Sequence, residues 1–276
     1  MNSNTENNNT ASAEHRSAPN NVKGAYASLG ELKMYYELHG AGRPLVLLHG
    51  AFMSGDAYPT LAADRQTIAV DLQGHGRTAD IERPFTFEQM ADDTAELLKL
   101  LNIEQTDVFG YSLGAKVGLA LAIRHHALVR RLAIYGASYK SFEESLTPDM
   151  LEIFKKVTPE TFAPEPLREP YEKLSPAPNF VGLAAKILDS MKSFQGFSPA
   201  QMQAVKAEVW LGAGDRRDVN LAHIVEMHNL IPNSQLAVFP NTDHVIMMTN
   251  PDKVLVSVKE FLDNGFETAE TKPAAN

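Results

Sequence analysis

The segment Gly110-Tyr111-Ser112-Leu113-Gly114 sets a serine between two glycines at a change of hydrophobic period. Before it, Thr106-Asp107-Val108-Phe109 reads as a strand; after it, Ala115 to Ile123 reads as a helix. A serine on such a strand-to-helix turn is held in a strained backbone that only small flanking residues permit. Its hydroxyl is pushed out at the sheet's edge, and the backbone N–H of Leu113 stays free beside it. That arrangement suits a nucleophile. Gly-x-Ser-x-Gly alone is also compatible with an ordinary turn, so the remainder of the chain decides.

A serine hydroxyl near neutral pH needs a general base, itself oriented by a third group. Candidates stand just past strand-like runs, where a parallel sheet gathers its functional residues. Asp215 closes Trp210-Leu211-Gly212-Ala213-Gly214, and His244 ends Pro240-Asn241-Thr242-Asp243-His244. The order Ser, Asp, His is the one expected for a nucleophile elbow. Asp218 is a rival acid and Asp243 a neighbour able to compete for the histidine; Asp215 is preferred because it sits in the motif's turn. Upstream, His49-Gly50-Ala51-Phe52 ends another strand in a tight turn. The N–H groups of Ala51 and Leu113 together make a candidate oxyanion hole. His49 reads as a structural histidine bonding that loop.

The elements that must position these residues alternate. Ala25–Leu29 and Leu32–Leu38 form a strand pair around Gly30, followed by strands at Pro44–Leu48 and Thr67–Leu72. A helix spans Thr86–Leu101, with Thr86 and Gln89 as a capping box. Strand 106–111, helix 112–124 and strand 131–136 come next. From Ser138 the rhythm breaks into short helices at 143–157, 165–174 and 180–193, punctuated by prolines at 148, 159, 164, 166, 170, 176 and 178. Strand 208–211, helix 219–230, strand 235–239 and helix 251–263 close the chain. The β-α-β rhythm predicts a mostly parallel eight-stranded sheet with helices on both faces. The expected organisation is a core at 23–137 and 202–266, a helical lid insertion at 138–201, and disordered tails at 1–22 and 267–276.

With 276 residues, 44% of them hydrophobic, the chain can bury a substantial core. A net charge of -9 without lysine-arginine blocks excludes nucleic acid and anionic membrane surfaces as expected partners. Arg130-Arg131 reads as a solvated strand end. No cysteine is present, so disulfides and thiolate chemistry are excluded. No apolar run approaches the roughly 20 residues that span a bilayer. The tail lacks the apolar centre of a secretory signal, and a cytoplasmic location is expected. Gly74-His75-Gly76-Arg77-Thr78-Ala79 mimics a dinucleotide fingerprint, but no helix starts there and Pro84 follows; it reads as a tight turn. His125-His126 at a helix end reads as favouring the helix dipole rather than as a metal site. His223 and His228, five apart, do not share a helix face as i, i+4 ligands would.

Taken together, five pieces resemble the α/β-hydrolase superfamily, in particular lid-bearing esterases and perhydrolase-like members. They are Leu47-Leu48-His49-Gly50, Asp71-Leu72-Gln73-Gly74-His75-Gly76-Arg77, Gly110-Tyr111-Ser112-Leu113-Gly114, Gly212-Ala213-Gly214-Asp215 and Asp243-His244. They span about residues 25–263. The resemblance implies Ser112 as nucleophile, His244 as base, Asp215 as orienting acid, and Ala51 and Leu113 as oxyanion donors. Asn241 and Asp243 depart from the Gly-x-Gly often found before the histidine. The expected activity is hydrolysis of small to medium uncharged carboxylic esters, without cofactor or metal. The uncharged class follows from an apolar lid and the lack of a recognisable cationic pocket. Lactone or C–C bond hydrolysis, perhydrolysis, and ligand sensing on a hydrolase scaffold are the alternatives. Phe52, Tyr111 and Met247 are expected to line the substrate pocket. Among the lid residues Phe142, Met150, Phe154, Phe180, Leu183 and Met191, most are expected to pack on the core and a minority to face the pocket.

Overall fold

The computed structural model of the chain describes residues 23–266, apart from 56–58, 63, 163 and 217–219. The expected tails and the rival acid Asp218 lie outside the described residues. Eight strands form one sheet: β1 Lys23–Leu29, β2 Leu32–His39, β3 Pro44–Leu48, β4 Gln66–Val70, β5 Thr106–Tyr111, β6 Val129–Tyr135, β7 Glu208–Gly214 and β8 Ser234–Phe239. Their spatial order is β1-β2-β4-β3-β5-β6-β7-β8. The β1–β2 and β2–β4 pairs are antiparallel, and every pairing from β4 to β8 is parallel. This is the mostly parallel eight-stranded sheet that the alternating pattern predicts.

Side chains on a strand alternate between faces, and the central strands are apolar on both. Val46 and Leu48 of β3 enter one core cluster, while Leu45 and Leu47 enter the other. The first face is covered by α1 Phe87–Leu100, α2 Leu113–Arg124 and α9 Leu221–Leu230. The second is covered by α11 Asp252–Asn264, through Val254, Leu255, Val258, Phe261 and Leu262. Each fully buried aliphatic side chain contributes roughly 1.5–3 kcal/mol, so the two clusters fix the sheet between its helices.

Among the described residues, six helices run between β6 and β7: α3 Phe142–Ser145, α4 Pro148–Phe154, α5 Pro159–Phe162, α6 Glu165–Leu174, α7 Phe180–Ser193 and α8 Pro199–Gln203. The single helix expected at 143–157 is therefore two. Pro148 occupies the first turn of α4, and Thr147 caps it by accepting from Met150 N–H. A four-residue helix, α10 Ile246–Thr249, was not visible as a helical period. At α1, Thr86 accepts from Gln89 N–H as expected, but the Gln89 amide turns to Asp93 at 3.2 Å, so half of the capping box forms. Arg130 and Arg131 also differ from a merely solvated strand end. Arg130 donates to the fully buried Asp107 at 2.8 Å, and Arg131 donates to Glu208 at 2.7 Å. No helix among the described residues is long and apolar enough to cross a membrane.

Candidate active site

Ser112 stands between the end of β5 and the first turn of α2, with φ 54° and ψ -112°. A left-handed φ on a non-glycine residue is strained, of order 1–3 kcal/mol, and persists only where its surroundings impose it. They do so here. A Cβ on Gly110 would strike the carbonyl of Gly114, and one on Gly114 would strike the carbonyl of Leu48. The two flanking glycines are thus required by contact as well as by turn geometry. Gly114 N–H donates to His49 O at 3.0 Å and Ser112 N–H to Tyr135 O at 2.9 Å, tying the turn to both neighbouring strands.

Ser112 Oγ lies 2.9 Å from His244 Nε2, across 132 residues of sequence. The loop carrying His244 follows β8 and is held on several sides. Tyr111 Oη donates to the carbonyl of His244 at 3.0 Å, and Tyr135 Oη donates to the carbonyl of Asp243 at 3.0 Å. The imidazole lies against Gly136, where a Cβ would come within 2.7 Å of its Cε1. Asn241, where the resemblance leads one to expect glycine, takes φ 54°, a left-handed position that Asn tolerates. Asp215, just past β7, is exposed, and its Oδ1 accepts from Thr242 N–H at 3.1 Å. Hydrogen bonds from the backbone of Thr242 and then Asn241 hold its carboxyl below the usual carboxylate range. Its described hydrogen bonds run to this backbone rather than to the imidazole. The Asp243 carboxylate is turned to the N–H of Val245 at 3.1 Å.

The opposite wall is the His49–Met53 turn. His49 Nδ1 lies 2.7 Å from Gly50 O, and His49 Nε2 accepts from Leu72 N–H at 3.1 Å, so Nδ1 carries the proton. Leu113 is the first residue of α2, one of the positions whose N–H a helix leaves unpaired. Among the described residues, neither its N–H nor that of Ala51 donates to a protein acceptor. Phe52 takes φ 64° and packs on Phe162 and Phe180 at 5.7 and 5.0 Å between ring centroids. The turn that bears Ala51 is thereby fastened to α5 and α7.

Ser112 and His244 open on a cavity of about 450 Å³ whose lining includes Phe52, Tyr111 and Met248. Met247 does not line it. Its side chain is buried in the second core cluster, because the single turn of α10 sends consecutive methionines in different directions. Phe142, Met150, Phe154 and Met191 line the cavity, while Phe180 and Leu183 are buried in the first core cluster. Most of the six lid residues therefore face the cavity, contrary to expectation. A separate surface depression of about 600 Å³, lined by Asp92, Glu96, Lys99 and His125, contains none of these residues.

The cavity is not free of charge. Lys116, one helical turn past Ser112, lines it with its ammonium 4.9 Å from the Phe87 ring centroid and 4.8 Å from that of Phe194. Burial lowers its pKa to about 8. Among the described residues it has no carboxylate partner within ion-pair distance. His223 of α9 lines the cavity too, stacked on Tyr139. Its Nε2 accepts from Tyr139 N–H at 3.2 Å, leaving a buried Nδ1 without a hydrogen-bond partner. Burial lowers its pKa to about 4. Neither residue was singled out for this role. Lys116 is a lone lysine in an otherwise apolar helical run, and only its place four residues past the serine gave a signal. No cluster of three or more His, Cys, Asp or Glu side chains among the described residues is placed to hold a metal.

Known proteins are similar to this chain. A 2-hydroxymuconate semialdehyde hydrolase of Pseudomonas sp. strain CF600 is 39% identical over 113 residues, covering 37% of this chain and 39% of that protein. The chain therefore spans only about two fifths of that relative's length. A 2-hydroxy-6-oxo-2,4-heptadienoate hydrolase of Pseudomonas putida is 28% identical over 255 residues, 81% of this chain and 90% of that one. Among solved structures, a meta-cleavage product hydrolase from Pseudomonas fluorescens IP01 superposes with a TM-score of 0.72 at 22% identity, covering 87% of this chain and 97% of that one. The alpha/beta hydrolase family model matches residues 45–257, from β3 through the first half of α11, and the chain belongs to that family.

Proposed function

We propose that the protein is a serine hydrolase that cleaves small to medium carboxylic esters through an acyl-enzyme. Ser112 Oγ attacks the ester carbonyl carbon while its proton passes to His244 Nε2. The oxyanion that forms is met by the N–H groups of Ala51 and Leu113; one such donor is worth about 2.7–4 kcal/mol in a transition state. The C–O bond to the alcohol breaks, and His244 returns the proton to the departing alkoxide. Water, deprotonated by His244, then attacks the acyl carbon and releases the acid and free Ser112. Asp215 is the orienting acid of this reading, acting through the hydrogen bond it accepts from Thr242 N–H, which holds the loop that carries His244. The helices between β6 and β7 serve as a lid that keeps bulk water from the acyl-enzyme. The chemistry requires no cofactor. Lys116 removes the ground for restricting the substrate to uncharged esters.

The observation that carries this function is the 2.9 Å approach of Ser112 Oγ to His244 Nε2 at a strained turn opening on the cavity. Turnover of p-nitrophenyl esters from C2 to C12 by the wild type and by Ser112→Ala tests it. Activity that disappears with the serine is expected, and the chain-length profile reads the depth of the acyl site. A second reading, hydrolysis of a C–C bond beside a ketone, is favoured by the relative aligned over 81% of this chain. Turnover of a vinylogous diketone with no turnover of any acyl ester would select it.

A further inference from the structure

We propose that Lys116 is a specificity-determining residue that binds a carboxylate on the substrate, so that the preferred ester is an acidic one. This rests on the ester-cleaving reading of Ser112 and His244.

Three observations converge on it. Lys116 is the fourth residue of α2, four positions past Ser112, and both residues line the same cavity. The Lys116 ammonium meets two aromatic faces, Phe87 and Phe194, with no carboxylate within ion-pair distance among the described residues. An ammonium taken out of water in an apolar cavity is costly unless paired, and ring faces replace only part of the lost hydration. A bound carboxylate would complete it with a charge-assisted hydrogen bond. His223 on α9 also lines the cavity and lies within electrostatic reach of Lys116; its buried Nδ1 makes no hydrogen bond, though the Glu226 carboxylate stands 3.9 Å from it. Ser138, Ser145 and Asn220 supply further polar lining. The N-terminus of α2 adds its positive dipole end to the same wall. The remaining lining is dominated by Phe, Met, Leu and Ile, so one anionic end and one apolar body describe the occupant.

The test compares matched pairs at pH 7: monomethyl succinate, glutarate and adipate against methyl butyrate, valerate and hexanoate, followed by acid release. For a carboxylate on the leaving group, 4-acetoxybenzoate is compared with phenyl acetate. The wild type is expected to favour the acidic member of at least one series by about 10- to 100-fold in kcat/KM, the range of a hydrogen bond to a charged group. Lys116→Met, with Lys116→Gln as a second variant, is expected to lower turnover of the acidic ester far more than that of its neutral partner. Equal or better turnover of the neutral member in every series overturns the proposal, as does an equal loss on both members in the Lys116 variants. If no ester of either kind is turned over, the ester reading fails and the anion site is read separately. Glutarate binding to Ser112→Ala, measured by calorimetry, is then expected and should vanish with Lys116→Met; absent binding overturns the site.

Discussion

The hydroxyl of Tyr111 donates to the backbone carbonyl of His244 at 3.0 Å, so the residue immediately before the nucleophile holds the loop that carries the base. Tyr135, at the end of the adjacent strand, does the same for the carbonyl of Asp243. Two neighbouring parallel strands thus fix the separation between Ser112 and His244 by hydrogen bonds to main chain. Misplacement of reacting groups by an ångström is expensive for catalysis. Tyr111→Phe and Tyr135→Phe are each expected to lower kcat about tenfold, the value of one ordinary hydrogen bond, with little change in KM. A rise in KM at constant kcat would assign the hydroxyls to substrate binding instead.

Ser112→Ala and His244→Ala are each expected to reduce ester turnover by several orders of magnitude, roughly 10⁶ by analogy with a serine protease triad. Gly110→Ala is expected to fail earlier, at folding or at the turn itself, because its Cβ would meet the Gly114 carbonyl. Circular dichroism separates the two kinds of loss.

The acid is tested by a pair of variants. Asp215→Asn keeps an oxygen that can accept from Thr242 N–H but removes the charge; Asp218→Asn changes only the rival. Loss of about 10⁴ in kcat at Asp215→Asn, with activity kept at Asp218→Asn, is the expected result for the orienting acid. The reverse pattern would transfer that role to Asp218 and leave Asp215 as the anchor of the 241–244 loop.

Stability should depend on pH at both ends of the range. Burial lowers the pKa of Lys116 to about 8 from the usual 10.5, so between these values the unfolded chain binds the proton that the folded chain has released. Stability from this group rises with pH across that window. Lys116→Met should abolish the rise and stabilise the protein at pH 7 by up to about 3 kcal/mol. On the acid side, burial lowers His75 to about 3 and His223 to about 4, from 6.5. The unfolded chain takes up these protons first, so stability falls as pH drops from 6.5 through 4. His223→Gln should make that fall shallower in urea melts at successive pH values.

Much of this arrangement was legible in the sequence, for local reasons. Gly110 and Gly114 mark the elbow because backbone contact admits nothing larger, and the β3, β5 and β7 runs are apolar because both faces of those strands are covered. What stayed hidden depends on long-range approach. The tyrosine hydroxyls reach carbonyls more than a hundred residues away, and nothing near Tyr135 announces them. Lys116 resembles a surface lysine until α1 and the segment after α7 bring Phe87 and Phe194 over it. Met247 and Met248 are consecutive residues in the single turn of a helix too short to show a period.

The most direct test of Ser112 as the nucleophile is labelling with a fluorophosphonate, followed by peptide mass spectrometry. One equivalent on the peptide containing Ser112, absent in Ser112→Ala and slowed in His244→Ala, is the expected result. Label on another serine of the cavity, Ser138 or Ser145, or no label on catalytically active protein, would contradict the assignment.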